Sequence, residues 1–131
     1  MIVLDEQLLG RNLEQSIAAW YPGAVCFITD LRPHSVIKDD AIPSLLESQN
    51  EATFVTINES DFWRVVAANK YFCMVCVALP DSQASRVAEL LRLVLGHPRF
   101  ATKALRMGCI VRVSVHSLAF YSLEQPEPQN L

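Results

Sequence analysis

The sequence predicts an α/β fold, a three-layer α/β/α sandwich built on a mainly parallel, twisted sheet, and three observations carry that prediction. Four strongly apolar runs, at residues 1–4, 24–28, 52–57 and 71–79, have the length and composition of strands. Segments with apolar residues at helical spacing separate them. The runs are apolar throughout instead of alternating, which is the pattern of parallel strands joined by crossovers and buried on both faces.

The elements follow in order. Met1 to Leu4 is the first strand, and Leu8, Leu9, Leu13, Ile17 and Trp20 then keep a helical period until Pro22-Gly23 ends the helix. Ala24 to Ile28 is the second strand. Past a loop from Thr29 to Lys38, Asp39 or Asp40 caps a helix bearing Ile42, Leu45 and Leu46, and Pro43 is tolerated because it falls in the first turn. Ala52 to Ile57 is the third strand, followed by a helix from Ser60 or Asp61 to about Asn69. Tyr71 to Leu79 is the fourth. Pro80-Asp81-Ser82 opens a longer helix with Val87, Leu90, Leu91, Val94 and Leu95 on one face, stopped by Gly96 and Pro98. A shorter helical segment spans Arg99 to Met107, and Cys109 to Val115 and Leu118 to Ser122 read as two strands joined at His116-Ser117.

At 131 residues the chain reads as a single domain, residues 1–123, with room for a core and no need of a staple. Half of it is hydrophobic and 19% is charged, which excludes the disordered class for all but the end. There, residues 124–131 carry two prolines and acidic charge with little to bury, so a frayed, disordered tail is expected. The opening MIVL turns acidic at Asp5 without a preceding basic region, and no apolar run nears the roughly eighteen residues of a membrane span. A cytoplasmic protein without a membrane segment is the expectation. The net charge of −3 argues against holding nucleic acid by bulk electrostatics, although Arg86, Arg92, Arg99, Lys103 and Arg106 make the later helices locally basic. Cys73 and Cys76 have CxxC spacing, but three positions apart on a strand they face opposite ways, so Cys26, Cys73, Cys76 and Cys109 are read as free thiols. His34, His97 and His116 lack paired spacing, and no zinc is expected.

In open α/β sheets ligands collect beyond the carboxyl ends of the strands. Asp5 and Glu6 follow the first strand, Asp30 the second, and Asn58 and Asp61 the third, while Asp39 and Asp40 open a helix near the same edge. Taken singly, each is explained by helix capping. Several acids on one edge are better explained by a hard cation that offsets their repulsion, magnesium or manganese. Such an ion generates hydroxide and steadies an in-line phosphoryl displacement, so the chemistry indicated is metal-dependent phosphodiester hydrolysis.

The segments LDEQL, KDDAI and VTINESDF, taken in that order, resemble the PIN-like nuclease superfamily, specifically a small bacterial branch that reads LDE, then a D-x-x-I helix start, then T-x-D-x-D-F. The resemblance spans residues 2–95 with matching spacing. It implies a PIN-like sandwich in which Asp5, with Glu6 beside it, Asp39, which Asp40 can replace, and Asp61 bind the metal, with Asp5, Asp39 and Asp61 catalytic. Asn58 stands where that branch has an acid, one residue further from Asp61, and supplies an amide oxygen without charge. Strand geometry turns the neighbouring Glu59 away from it. The implied activity is a magnesium- or manganese-dependent ribonuclease, with RNA as substrate. Small members of the superfamily are often toxins of toxin–antitoxin pairs, which implies an antitoxin or other protein partner. In that reading Arg11 and Arg64 contact phosphates and Trp63 stacks on a base, or else Trp63 simply packs on the sheet. The competing reading is a non-catalytic PIN-like interaction module with a degraded metal site. A flavodoxin-like or receiver-like domain also sets acids at strand ends, but calls for a late-strand lysine and a phosphoacceptor Asp that are not found here. Exposed edge strands and an apolar C-terminal hairpin make a homodimer a further expectation.

Overall fold

The computed structural model describes residues 1–131. The apolar runs form the strands β1 (Ile2–Leu4), β2 (Val25–Phe27), β3 (Ala52–Thr56), β4 (Phe72–Val77), β5 (Cys109–Val113) and β6 (Leu118–Ser122), joined by a short β7 (Gln129–Asn130). They make one sheet in the order β2-β1-β3-β4-β5-β6-β7. The first five run parallel, and the β5–β6 and β6–β7 pairings are antiparallel. The chain thus forms a mixed α/β fold on a mostly parallel sheet. Leaving β1 it goes first to one side, to β2, and then crosses to the other, to β3, so the topological switch point lies at the carboxyl ends of β1 and β3.

Six helices accompany the sheet: α1 (Leu13–Ala18), α2 (Ile28–Leu31), α3 (Ile42–Glu47), α4 (Glu59–Phe62), α5 (Val87–Gly96) and α6 (Lys103–Arg106). Period-2 alternation divides the strands between two cores. Leu4, Val55, Val75 and Val111 pack with Leu13 and Ile17 of α1 and Leu91 and Val94 of α5. Val3, Phe54, Met74 and Ile110 pack with Ile42 and Leu46 of α3 and Phe62 of α4. Cys73 joins the first core and Cys76 the second, and all four cysteines are free. No helix is long and apolar enough to cross a membrane.

Several boundaries differ from the sequence reading. The helix expected over 8–20 is a 3-10 turn, Glu6–Leu8, followed by α1, because Gly10 and Asn12 adopt left-handed conformations between them (φ 77° and 57°). The helix expected to reach Asn69 ends at Phe62, and Arg64, at φ 64°, turns the chain away. The long helix opening at Pro80 begins as a 3-10 segment, Asp81–Arg86, in which Gln83 is non-helical, before α5 starts. The tail expected to fray also differs. Its β7 pairs Asn130 with Ala119 and Gln129 with Phe120, and Leu131 N–H donates to the Leu118 carbonyl at 2.8 Å. The open edge of β6 offers unpaired backbone groups, and an apolar payload is not needed to satisfy them.

Candidate functional site

The switch point is built by two strand ends. Asp5 continues β1, its N–H donating to the Val55 carbonyl at 2.9 Å, and it is 5% exposed. Its Oδ1 accepts from Glu6 N–H at 2.8 Å, capping the 3-10 turn, and its Oδ2 accepts from Thr56 Oγ1 at 2.7 Å. The Thr56 hydroxyl also lies 3.0 Å from Gln7 Oε1, an acceptor already fixed by Ile57 N–H at 3.1 Å. Burial raises the proton affinity of Asp5 and the Glu6 charge adds to it, while the Thr56 and Glu6 hydrogen bonds pull the other way. The net direction is upward.

Beside this buried acid lies an exposed pair. Asn58, just past β3, makes no cap to α4; its Nδ2 donates to Asp61 Oδ2 at 2.7 Å and lies 3.5 Å from Asp39 Oδ2. Ser60 Oγ donates to the Asn58 Oδ1 at 3.2 Å and holds the amide in that sense. Asp39 stands on the 3-10 turn Asp39–Ala41, where it caps nothing. Its carboxyl is shifted up by desolvation first, then by its hydrogen bond with Asp61 and by the charges of Asp5, Asp61 and Glu6. Asp39, Asp40 and Asp61 open into a cleft of about 620 Å³, whose floor includes Pro43, Val66, Ala68 and Phe72.

The site residues expected from the sequence therefore gather at one crevice, with different duties. Asp5 is buried, Asp39 and Asp61 share one donor, Glu6 contributes charge, and Asp40 faces the cleft without a hydrogen bond. As they stand, no three His, Cys, Asp or Glu side chains are arranged to hold a metal ion. The donor set itself suits a hard cation: it is all oxygen, and Asp39 and Asp61 already converge on a single point, taken by the Asn58 nitrogen. Capping accounts for Asp30, whose Oδ2 accepts from Phe27 N–H at 2.9 Å.

The cationic and aromatic neighbours sit elsewhere. Arg11 binds Asp81 through side chain and carbonyl. Arg64 lies over the Tyr121 ring at 5.2 Å, donates to the Pro126 carbonyl at 2.9 Å and pairs with Glu127 at 3.7 Å. Trp63 packs on Tyr121, ring centroids 5.0 Å apart. Glu59 turns to Arg112 of β5 at 2.9 Å. Gln7, Thr56 and Arg112 escaped the sequence reading. Arg112 carried a signal, a lone charge inside the apolar CIVRV, whereas Gln7 and Thr56 are recognisable only once β1 and β3 are side by side.

Comparison of the chain with protein-family models, with curated proteins and with solved structures gives no significant match.

Proposed function

We propose that the chain is a PIN-like three-layer α/β/α sandwich acting as a magnesium- or manganese-dependent ribonuclease. The observation that carries this reading is the convergence of the Asp39 and Asp61 oxygens on one point beside the buried Asp5, at the switch point of the sheet. Asp5, Asp39 and Asp61 would hold the ion, with Glu6 adding negative potential and Asn58 contributing its amide oxygen after rotation of the side chain. When bound, the ion lowers the pKa of water and neutralises charge on the phosphoryl group. The residues supply the rest: Thr56 orients Asp5, and burial keeps Asp5 near the crevice without the mobility of a surface acid.

The test is calorimetric titration of manganese into chelator-stripped protein, with Asp5→Asn in parallel, followed by RNA cleavage. Saturable binding that is lost in Asp5→Asn supports the reading, and Asn58→Asp should then raise both affinity and cleavage. No heat at millimolar manganese rejects it.

A second reading, a non-catalytic interaction module on the same fold, is favoured by one observation. The Asn58 amide already bridges Asp39 and Asp61 without an ion, and Glu59 is committed to Arg112. Under that reading Asn58→Asp creates repulsion that manganese does not relieve.

A further inference from the structure

We propose that the opposite, amino edge of the sheet carries an anion-binding cleft for a phosphate ester with a flat ring, of the size of a nucleoside monophosphate. The cleft measures about 470 Å³ and is lined by Trp20, Tyr21, Gly23, Leu95, Lys103 and Arg106, among others. That volume lies in the range of small-molecule sites.

Arg106 supplies the main reason. It is 4% exposed, and no carboxylate pairs with it; the chain's ion pairs use Arg11, Arg64, Arg86 and Arg112. Its Nε donates to Thr53 Oγ1 at 3.2 Å and its Nη1 to the Phe100 carbonyl at 3.1 Å. Both acceptors are neutral, so they fix the guanidinium without compensating its charge, and Nη2 is left without a protein acceptor. Nη2 is not among the buried atoms that lack a partner, so it meets solvent; a cation this deeply set with no counter-ion is costly, and an anion in the cleft reduces that cost. Lys103, exposed and one helical turn before Arg106 on α6, adds a second positive charge that no carboxylate claims. A planar fork beside an ammonium suits the several oxygens of a phosphate.

The ring component follows from the aromatic wall. Trp20 and Tyr21 meet edge to face, with centroids 6.3 Å apart. Gly23 makes the placement of Tyr21 feasible: a Cβ there would lie 2.6 Å from its ring. Any side chain at position 23 therefore displaces the Tyr21 ring. Arg92, which stacks on Trp20 at 5.7 Å, lines a different depression and leaves this cleft to Arg106 and Lys103.

The test uses the Trp63→Phe protein, in which Trp20 is the only tryptophan left of the two. It is titrated at low salt with adenosine 5′-monophosphate, with adenosine and with inorganic phosphate. The nucleotide should quench Trp20 saturably, adenosine and phosphate alone should each bind at least about tenfold more weakly, and Lys103→Ala should cost about tenfold, the loss of one charge-assisted contact. Arg106→Ala risks unfolding, so Arg106→Lys, which keeps the charge and loses the fork, is paired with a thermal melt and should weaken the nucleotide in a folded protein. No saturation below about 10 mM, or affinity unchanged in Lys103→Ala, overturns the proposal. Phosphate binding as tightly as the nucleotide overturns the assignment of the ring.

Discussion

Asp5 is a carboxylate that the fold holds at a cost, and that cost can be measured. Its proton affinity is raised, so the native state binds more protons than the unfolded chain between the ordinary carboxylate value of 3.8 and the raised one. Stability contributed by this residue therefore falls as pH rises through that window and stays low above it. Asp5→Asn keeps the shape and has partners ready: the Asn oxygen accepts from Glu6 N–H, while Thr56 accepts from the new amide and turns its hydroxyl proton to Gln7 Oε1, 3.0 Å away. In chelator at pH 7 the variant should melt a few degrees above the wild type, and the difference should vanish as pH is lowered through the window. A variant that melts lower at neutral pH would mean that the carboxylate is stabilising where it sits. Asn58→Asp tests the neighbouring pair in the opposite sense. It removes the donor to Asp61 and adds a third charge, a loss of about 1 kcal/mol, or roughly 3–6 °C in a chain of this size, in the absence of divalent ion. Adding manganese should more than recover it under the nuclease reading.

At the scale of elements, burial was legible and local exceptions were not. β6 occupies the run expected for it, and β3 and β4 lose only end residues, because uninterrupted apolar sequence has one favourable fate in a sheet covered on both faces. The helices were overextended where a non-glycine residue goes left-handed. Nothing in the type of Arg64 favours that conformation, and a tertiary contact, its N–H donating to Tyr121 Oη at 3.2 Å, holds it, whereas Asn12 is of a type that enters the left-handed region readily. The same contact explains why the site was only partly legible. The acids announce themselves by type and position, whereas the role of Arg64 depends on a tail that lies far along the chain, its partner Pro126 being 62 positions away. Residues 124–131, whose side chains are exposed, attach through the two strand pairs, a few further backbone hydrogen bonds and the Arg64 contacts. Deleting them should cost less than about 1 kcal/mol, since exposed ion pairs and an edge strand this short add little. It also frees the Arg64 guanidinium. If Arg64 meets phosphate, as the RNA reading requires, the truncated protein should bind single-stranded RNA more tightly at low salt, with the gain lost at high salt. Equal affinity with and without the tail would remove Arg64 from the RNA path.

For the molecule as a whole, the sheet has two chemically distinct edges. Acids gather at the carboxyl edge near the switch point, and Arg106 and Lys103 mark the amino edge, so a net charge of −3 conceals separated fields of both signs. Under the nuclease reading, ion binding at the carboxyl edge must couple to global stability, because an ion that binds only the folded chain stabilises it by mass action. At 100 times its dissociation constant the stabilisation is about 2.7 kcal/mol, or roughly 10 °C in melting temperature for a domain of this length. The sign of the pH dependence under that reading follows from the raised proton affinities of Asp5 and Asp39: an ion there would have to displace protons that these carboxyls hold more firmly than usual. At fixed manganese the thermal shift should therefore be full near pH 7.5 and shrink on acidification, beginning above the pH at which an ordinary carboxylate titrates. Melting curves with and without manganese across that range, for the wild type and for Asp39→Asn, measure it directly. Loss of the shift in Asp39→Asn at every pH places the ion on this carboxylate. A shift independent of both pH and Asp39 would put the ion elsewhere on the surface and leave the acid rim to the interaction-module reading.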